Sequence, residues 1–176
     1  LCSCREFSLV LVRSNSVGQP AVSPPLCDSS FAEFVWVWNR TQGQNTPALQ
    51  VQMARWLEAR WRSGECRLLL LAFRSSGKST MLGLFCVWML LLNPNLRILT
   101  LGAELDLAKK MVRNVKRIIE RHVLTRHLRP RRADLWGAGQ FTVARSAELR
   151  DPSMLARGIG ANITGSRADI VFCADV

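Results

Sequence analysis

One stretch of the chain constrains its fold more than any other, the ten residues LAFRSSGKST at 71–80. They continue the apolar run RLLLLAF (67–73), which has the length of a strand and is unbroken, as in a strand buried on both faces. They lead into an apolar stretch that ends at Asn93 and predicts a helix from Lys78 to about Leu92. A polar turn ending in Gly-Lys-Ser between a strand and a helix is typical of a phosphate-binding loop.

The chemistry of such a loop explains its residue types. Consecutive backbone N–H groups wrap phosphate oxygens, and the helix N-terminus adds its positive dipole. Lys78 can reach the β- and γ-phosphates, and Ser79 can give its hydroxyl to Mg²⁺. Ala72 and Ser75 stand where glycines are usual, which predicts a different or a strained loop path. The alternative is a polar turn that reads SGKST by chance.

The remaining patterns alternate between strand and helix, which predicts an α/β fold with a largely parallel sheet flanked by helices. TPALQVQMARWLEARWRSG predicts a helix, with Thr46 as cap, Pro47 at the first position and Gly64 at the stop. FAEFVWVWNR fits a helix or a strand. The other predicted elements are a strand at 96–102, a basic helix at 103–122, a possible strand at 140–146 and a strand at 168–176. Residues 1–30 show no sustained periodicity and predict a poorly ordered leader.

An acid follows the last apolar run. Asp175 comes after Ile170 to Ala174, about 100 residues beyond the loop, where nucleotide hydrolases place a carboxylate that orients Mg²⁺ through water. The alternative is ordinary turn chemistry after a strand. Together, the loop and the acid predict nucleotide binding.

The net charge of +11 favours a polyanionic partner over a merely solvated basic surface. It is densest in RHVLTRHLRPRR, residues 121–132, which holds five arginines. We expect this segment to lie on the surface and Arg129, Arg131 and Arg132 to contact DNA phosphates. The alternative is a turn that meets only water or acidic partners.

Other classes of protein are disfavoured. The six cysteines include no CxxC pair, so a zinc site is not expected, and a reducing cytosol fits best. The longest apolar stretch, Met81 to Leu92, is shorter than the roughly 20 residues that cross a bilayer, so no membrane role is expected.

Three motifs together resemble the ATPase domain of the large terminase subunit of tailed phages, the motor that drives DNA into the procapsid. They are LLLAFRSSGKST, LRILTLGAELDLAKK and GANITGSRADIVFCADV, and the resemblance covers residues 31–176. It implies a P-loop NTPase of the ASCE type with a Walker A loop, ATP and Mg²⁺ as cofactors, and double-stranded DNA as partner. It also implies a portal protein, a small terminase subunit, a ring of subunits and the cytoplasm of an infected or lysogenic bacterial host.

The resemblance assigns roles to residues. Ala72 is normal for the family loop, Arg74 matches an arginine that senses the γ-phosphate, and Ser75 replaces a usual glycine. Gln50 matches an adenine-reading glutamine, although a solvent-facing helix residue explains it equally well. The implied nucleotide-binding residues are Gln50, Ala72, Phe73, Arg74, Ser75, Ser76, Gly77, Lys78, Ser79 and Thr80; Lys78, Arg74 and Asp175 would be catalytic, and Ser79 and Asp175 would bind the metal.

The last motif departs from the family pattern. Residues Thr164 to Asp169 match the stretch before the Mg²⁺ strand, but Ala174 replaces the first acid and Asp175 matches the second. The catalytic glutamate is expected directly after Val176. We therefore expect a partial domain, truncated after the Walker B strand, without the glutamate, the C-terminal part or the nuclease domain of the parent.

The leading hypothesis is the ATP-binding part of a packaging motor that hydrolyses ATP to translocate DNA. A helicase-type P-loop ATPase is one alternative, although its usual motif has glutamate where Val176 stands. A non-hydrolysing DNA-binding remnant is the other.

Overall fold

The structure, a computed structural model, describes residues 7–13, 30–73, 75–161 and 165–174. The helices are α1 (Phe31–Thr41), α2 (Ala48–Arg62), α3 (Lys78–Leu92) and α4 (Leu105–Arg121). The strands are β1 (Phe7–Arg13), β2 (Arg67–Ala72), β3 (Ile98–Gly102), β4 (Gln140–Phe141), β5 (Met154–Gly158) and β6 (Ile170–Ala174). Short 3₁₀ turns lie at Arg126–Leu128 and Ala133–Leu135.

The strands form one sheet in the order β2-β1-β6-β3-β5-β4. Strand β3 is parallel to both β5 and β6, whereas β1 is antiparallel to both of its neighbours, β2 and β6. Strands β2, β6, β3 and β5 therefore run in one direction, and their carboxyl ends share one edge. The predicted α/β fold with a mostly parallel sheet is confirmed.

Residues 31–41 form a helix because its stripe is apolar and its start is capped. Phe31, Phe34 and Trp38 are buried on one face. The Ser30 side chain accepts a hydrogen bond from the Glu33 N–H, and the Glu33 carboxylate accepts one from the Ser30 N–H, a complete capping box. This resolves the helix-or-strand ambiguity of the sequence in favour of the helix.

The core is built around α3. Its residues from Met81 to Leu91 are all buried. Phe85 and Trp88 of this helix pack against Phe31 of α1, with ring centroids 5.1 and 5.5 Å from that of Phe31. Helix α4 packs beside α3, and its buried residues are Ala108, Met111, Val112, Val115, Ile118 and Ile119.

The prediction that strand β2 is buried on both faces is wrong. Leu68 is buried, but Leu69 and Leu71, which point to the opposite face, are each 53% exposed. An unbroken apolar run therefore does not establish that both faces of this strand are covered.

Two other predictions need correction. Residues 7–13 of the predicted leader form β1, which inserts between β2 and β6, and Leu11 of this strand is buried. The rest of residues 1–29 lies outside the described residues. The predicted strand at 140–146 is reduced to Gln140–Phe141, and β5 was missed because its five-residue sequence, MLARG, is broken by an arginine.

No helix in the described part of the chain has the length and apolar character needed to cross a membrane.

Candidate nucleotide-binding site

The candidate loop, residues 72–80, joins β2 to α3 at the carboxyl edge of the parallel strands. Ligands of open α/β sheets bind outside this edge. The N–H of Ser76 donates to the carbonyl of Phe73 (3.2 Å), which turns the chain, and Gly77 adopts a left-handed φ of 81° just before the helix. The first helical bond follows, from the Met81 N–H to the Gly77 carbonyl at 2.9 Å. The predicted strand, loop and helix are thus consecutive in the structure; Arg74 lies outside the described residues.

The start of α3 differs from the start of α1. The N-cap residue of α3 is Gly77, which has no side chain to cap the helix, and the first turn contains no acidic residue. The first N–H groups of an α-helix have no partner within the helix and carry the positive end of its dipole. At α1 the capping box serves these groups, and the Phe31 N–H also donates to the Glu58 carboxylate at 2.9 Å. At α3 the N-cap residue is Gly77, which has no side chain that could serve them.

One side chain of the loop has an unmet hydrogen-bonding requirement. The Ser76 hydroxyl is buried and has no hydrogen-bond partner among the described residues. A buried hydroxyl without a partner costs about 1–3 kcal/mol, so a phosphate oxygen beside it would recover a bond. Lys78 and Thr80 are partly exposed and Ser79 is exposed. The residues present therefore fit a phosphate group.

The backbone of the loop is strained at Ser75. Its φ of 68° is the only positive value among non-glycine residues in the described ranges. A side chain in this conformation costs roughly 1–2 kcal/mol, whereas glycine adopts it freely. The strained loop path predicted from the sequence is confirmed at this residue. Ala72 continues in the strand as its last residue, and Phe73 is 64% exposed.

Gln50 of α2 lies against the loop. A Cβ atom placed on Gly77 would come within 3.0 Å of the Gln50 Nε2. The Gln50 Oε1 accepts a hydrogen bond from the Asn39 Nδ2 at 2.8 Å, and the same Nδ2 donates to the Thr46 Oγ1 at 3.2 Å. The structure thus brings Gln50 to the predicted site, although the two lie far apart in sequence.

Asn39 was missed by the sequence analysis, although it is buried in the last turn of α1 with only 4% of its surface exposed. A polar residue next to the buried stripe of an amphipathic helix was the available signal. The predicted cap of α2 was also wrong. Pro47 occupies the capping position, and the Thr46 hydroxyl accepts from Asn39 instead of capping the helix.

The first turn of α3 is tied to α4. The Asn114 Nδ2 donates to the Ser79 carbonyl at 3.1 Å. Gly83 makes this approach possible, because a Cβ there would come within 2.5 Å of the Asn114 side chain. The loop therefore lies against Gln50 of α2, and the helix that follows it is bonded to α4.

Asp169 is the acid of the last motif that the structure describes, and it does not lie at the loop. The Asp169 carboxylate accepts from the Arg97 guanidinium at 2.6 and 3.0 Å and from the Arg97 N–H at 2.9 Å. This pairing joins the amino ends of β3 and β6, at the sheet edge opposite the loop, and it raises the pKa of Arg97. Asp175 and Thr164 lie outside the described residues, among which no group of three potential metal-ligating acids, cysteines or histidines occurs.

No model of a protein family matches the chain. A curated protein, the terminase large subunit of Enterobacteria phage T3, is 31% identical to it over 147 residues. The match covers 83% of this chain. The chain belongs to the family of phage terminase large subunits. It spans about a quarter of the length of the phage T3 relative, and the resemblance read from the motifs is confirmed.

This terminase-family chain has a second candidate polyanion-binding region, the arginine segment, residues 121–132. The segment lies on the surface, as predicted, with Arg129, Arg131 and Arg132 all exposed. Arg132 is paired with Asp134 at 2.7 Å. Three residues of the segment, His122, Thr125 and Leu128, are buried and attach it to the core. The His122 ring stacks on the Phe34 ring, with 3.9 Å between their centroids.

The basic face of α4 contributes less free charge than its sequence indicates. The Lys116 Nζ donates to the carbonyls of Trp136 and Gly137 at 3.0 and 3.1 Å and lies over the Trp136 ring. Burial lowers the pKa of this ammonium. Lys110, Arg113 and Arg117 remain exposed on the same helix.

Proposed function

We propose that this chain is the ATP-binding part of a viral DNA-packaging motor, whose parent protein couples ATP hydrolysis to the translocation of double-stranded DNA into a procapsid. The observation that carries the proposal is the start of α3. Its N-cap residue is Gly77, it lies at the carboxyl edge of the sheet, and it is preceded by a strained loop in which the buried Ser76 hydroxyl has no partner among the described residues. An anion with several oxygens would satisfy these groups together.

We assign roles to the site residues on the resemblance and on the chemistry of phosphate binding. Backbone N–H groups of residues 76–80 and the Ser76 hydroxyl would bind phosphate oxygens. Lys78 and Arg74 would add positive charge on the β- and γ-phosphates. Ser79 and Asp175 would hold Mg²⁺, which neutralises phosphate charge when bound. Gln50, against Gly77, would meet the adenine base.

The partners proposed for the parent protein are double-stranded DNA, a portal protein, a small terminase subunit and further copies in a ring. The relative in phage T3 is a terminase large subunit, which supports this set in general terms. The proposed place of action is the cytoplasm of an infected or lysogenic bacterial host.

Isothermal titration of the chain with Mg²⁺-ATP tests nucleotide binding. We expect wild-type protein to bind and Lys78→Ala to lose binding, because the ammonium compensates the phosphate charge at the loop. Lys110→Ala, at an exposed position of α4, removes the same charge elsewhere and should bind as wild type. Unchanged affinity in Lys78→Ala would contradict the assignment of the loop.

A non-hydrolysing binding module is the second candidate function, favoured by Ala174 at the place of the family's first acid. Phosphate release by the chain in the presence of Mg²⁺-ATP tests this module. Release above the level of Lys78→Ala would contradict the module and support the ATPase, whereas binding without release agrees with both, since the resemblance places the catalytic glutamate outside residues 31–176.

A further inference from the structure

Asn39 occupies an unusual position for a polar residue of α1. Its side chain is buried, and its amide nitrogen donates both hydrogens, one to the Thr46 Oγ1 and one to the Gln50 Oε1. Its backbone carbonyl accepts from the N–H groups of Gln42 and Gln44, at 3.0 and 2.9 Å. The residue therefore organises the connection between α1 and α2 as well as the side chain of Gln50.

The bond to Asn39 fixes which end of the Gln50 amide faces the loop. The Oε1 is directed to Asn39, and the Nε2 lies toward Gly77. While Asn39 keeps its donor bond to Thr46, turning the Gln50 amide over would set the Gln50 NH₂ group against the Asn39 NH₂ group, two donors with no acceptor between them. A buried donor left without a partner costs about 1–3 kcal/mol, which favours the observed orientation as long as the bond to Thr46 is kept.

We propose that Asn39 is a positioning residue that makes Gln50 selective for adenine over guanine. The inference rests on the proposed nucleotide site and on Gln50 meeting the base. A glutamine amide matches the N7 acceptor and N6 donor of adenine with its own donor and acceptor. One lone pair of the Oε1 is used by Asn39, and the other can accept the adenine N6–H.

Guanine fits the fixed amide less well. Its O6 is an acceptor in the place of the adenine N6 donor, so it would oppose the Gln50 Oε1. If the amide turned over, its oxygen would oppose N7 of either purine, and adenine would lose both bonds. The preference for adenine therefore depends on the orientation that Asn39 imposes.

Asn39→Asp tests this inference because it replaces the donor by an acceptor of the same shape. An aspartate at 39 binds the Gln50 NH₂ group and turns the amide over. We expect the ratio of the GTP to the ATP dissociation constant to fall by about tenfold, the size of one good bidentate base contact. Asn39→Ala, which frees the amide, should lower the ratio by less.

Asn45→Asp is the matched control, since it adds the same charge at an exposed position of the α1–α2 connection. Its ratio should equal that of the wild type. Titrations with Mg²⁺-ATP and Mg²⁺-GTP, with a thermal melt of each variant, separate the outcomes. If Asn39→Asp melts before the assay temperature, the Asn39→Ala ratio decides.

The titrations distinguish a failure of the proposed function from a failure of the inference about Asn39. Wild-type protein that binds neither nucleotide overturns the proposed function. Wild-type protein that prefers ATP, with Asn39 variants that weaken both nucleotides equally, overturns the inference about Asn39 and leaves the nucleotide site standing.

Discussion

The candidate loop (72–80) and the arginine segment (121–132) are both candidates for binding a polyanion, but they are built differently. Besides the cationic side chains of Arg74 and Lys78, the loop offers backbone N–H groups, a buried hydroxyl and a strained turn that lies against α2 and leads into a helix bonded to α4. The arginine segment offers exposed guanidinium groups over buried anchors. A site with fixed donors is suited to one ligand geometry, whereas mobile surface charge is suited to any phosphate backbone.

The largest effect is expected on DNA binding, if the arginine segment contacts phosphates. Each contact adds about 0.9 to the slope of log affinity against log salt concentration. Alanine at Arg129, Arg131 and Arg132 together should flatten the slope by roughly two to three units, and by nearer two because Asp134 already pairs with Arg132. The measurement is a salt titration of duplex binding with two unrelated sequences.

Two controls accompany this experiment. Lysine at the same three positions keeps the charge and should keep most of the slope. The alanine variant should bind Mg²⁺-ATP as wild type does, because the change lies outside the loop. An unchanged slope would assign the segment to solvent or to acidic partners.

An intermediate effect is expected from pH at the anchor of the arginine segment. The His122 Nδ1 accepts from the Leu124 N–H, so its Nε2 carries the hydrogen and donates to the Phe34 carbonyl at 3.1 Å. Burial lowers the pKa of His122, although the bond to Phe34 opposes this. The folded state therefore favours the neutral ring, and its contribution to stability is complete above the unfolded pKa of about 6.5.

As the pH falls below about 6.5, the unfolded chain takes up a proton before the folded chain does. The free energy of unfolding should drop by up to about 1.4 kcal/mol per pH unit until the lowered pKa is reached. Urea unfolding at pH 7.5 and 5.5 measures it. His122→Gln should remove this part of the drop, whereas His127→Gln, at an exposed histidine, should retain it. Equal drops in all three proteins would contradict the assignment.

The smallest effect is expected from strain in the loop. Ser75→Gly should raise the free energy of unfolding by about 0.5–1 kcal/mol, because glycine adopts the left-handed φ without cost. This corresponds to about 1–4 °C in a thermal melt. Ser63→Gly, at a residue with φ −72°, is the matched control and should give no stabilisation. A stabilisation as large in Ser63→Gly would show that strain at Ser75 is not the cause.

The strand, loop and helix around Gly77 could be predicted because the signals are local. An apolar run, a Gly-Lys-Ser turn and a long apolar helix are each read within a few residues. The position of Gln50 against Gly77 could be anticipated only through the resemblance. The role of Asn39 could not be predicted, because it depends on two hydrogen bonds that exist only after α1 and α2 have packed.

The remaining wrong or missing predictions concern contacts between residues that are far apart in sequence. Strand β1 acquires its place from partners more than 50 residues away, so the short sequence FSLVLVR gave no sustained pattern. The burial of β2 was predicted wrongly for the same reason. Whether Leu69 and Leu71 are covered depends on elements distant in sequence, and both are exposed. The ion pair of Asp169 with Arg97 likewise joins residues 72 positions apart.

Hydrogen–deuterium exchange with and without Mg²⁺-ATP tests the central claim most directly, because it reports on the backbone N–H groups themselves. We predict slower exchange at residues 76–80 when Mg²⁺-ATP is added, and unchanged exchange at the capped start of α1 (31–34) and in the arginine segment. Unchanged exchange at 76–80 under conditions where ATP binds would contradict the claim that the start of α3 holds the phosphates.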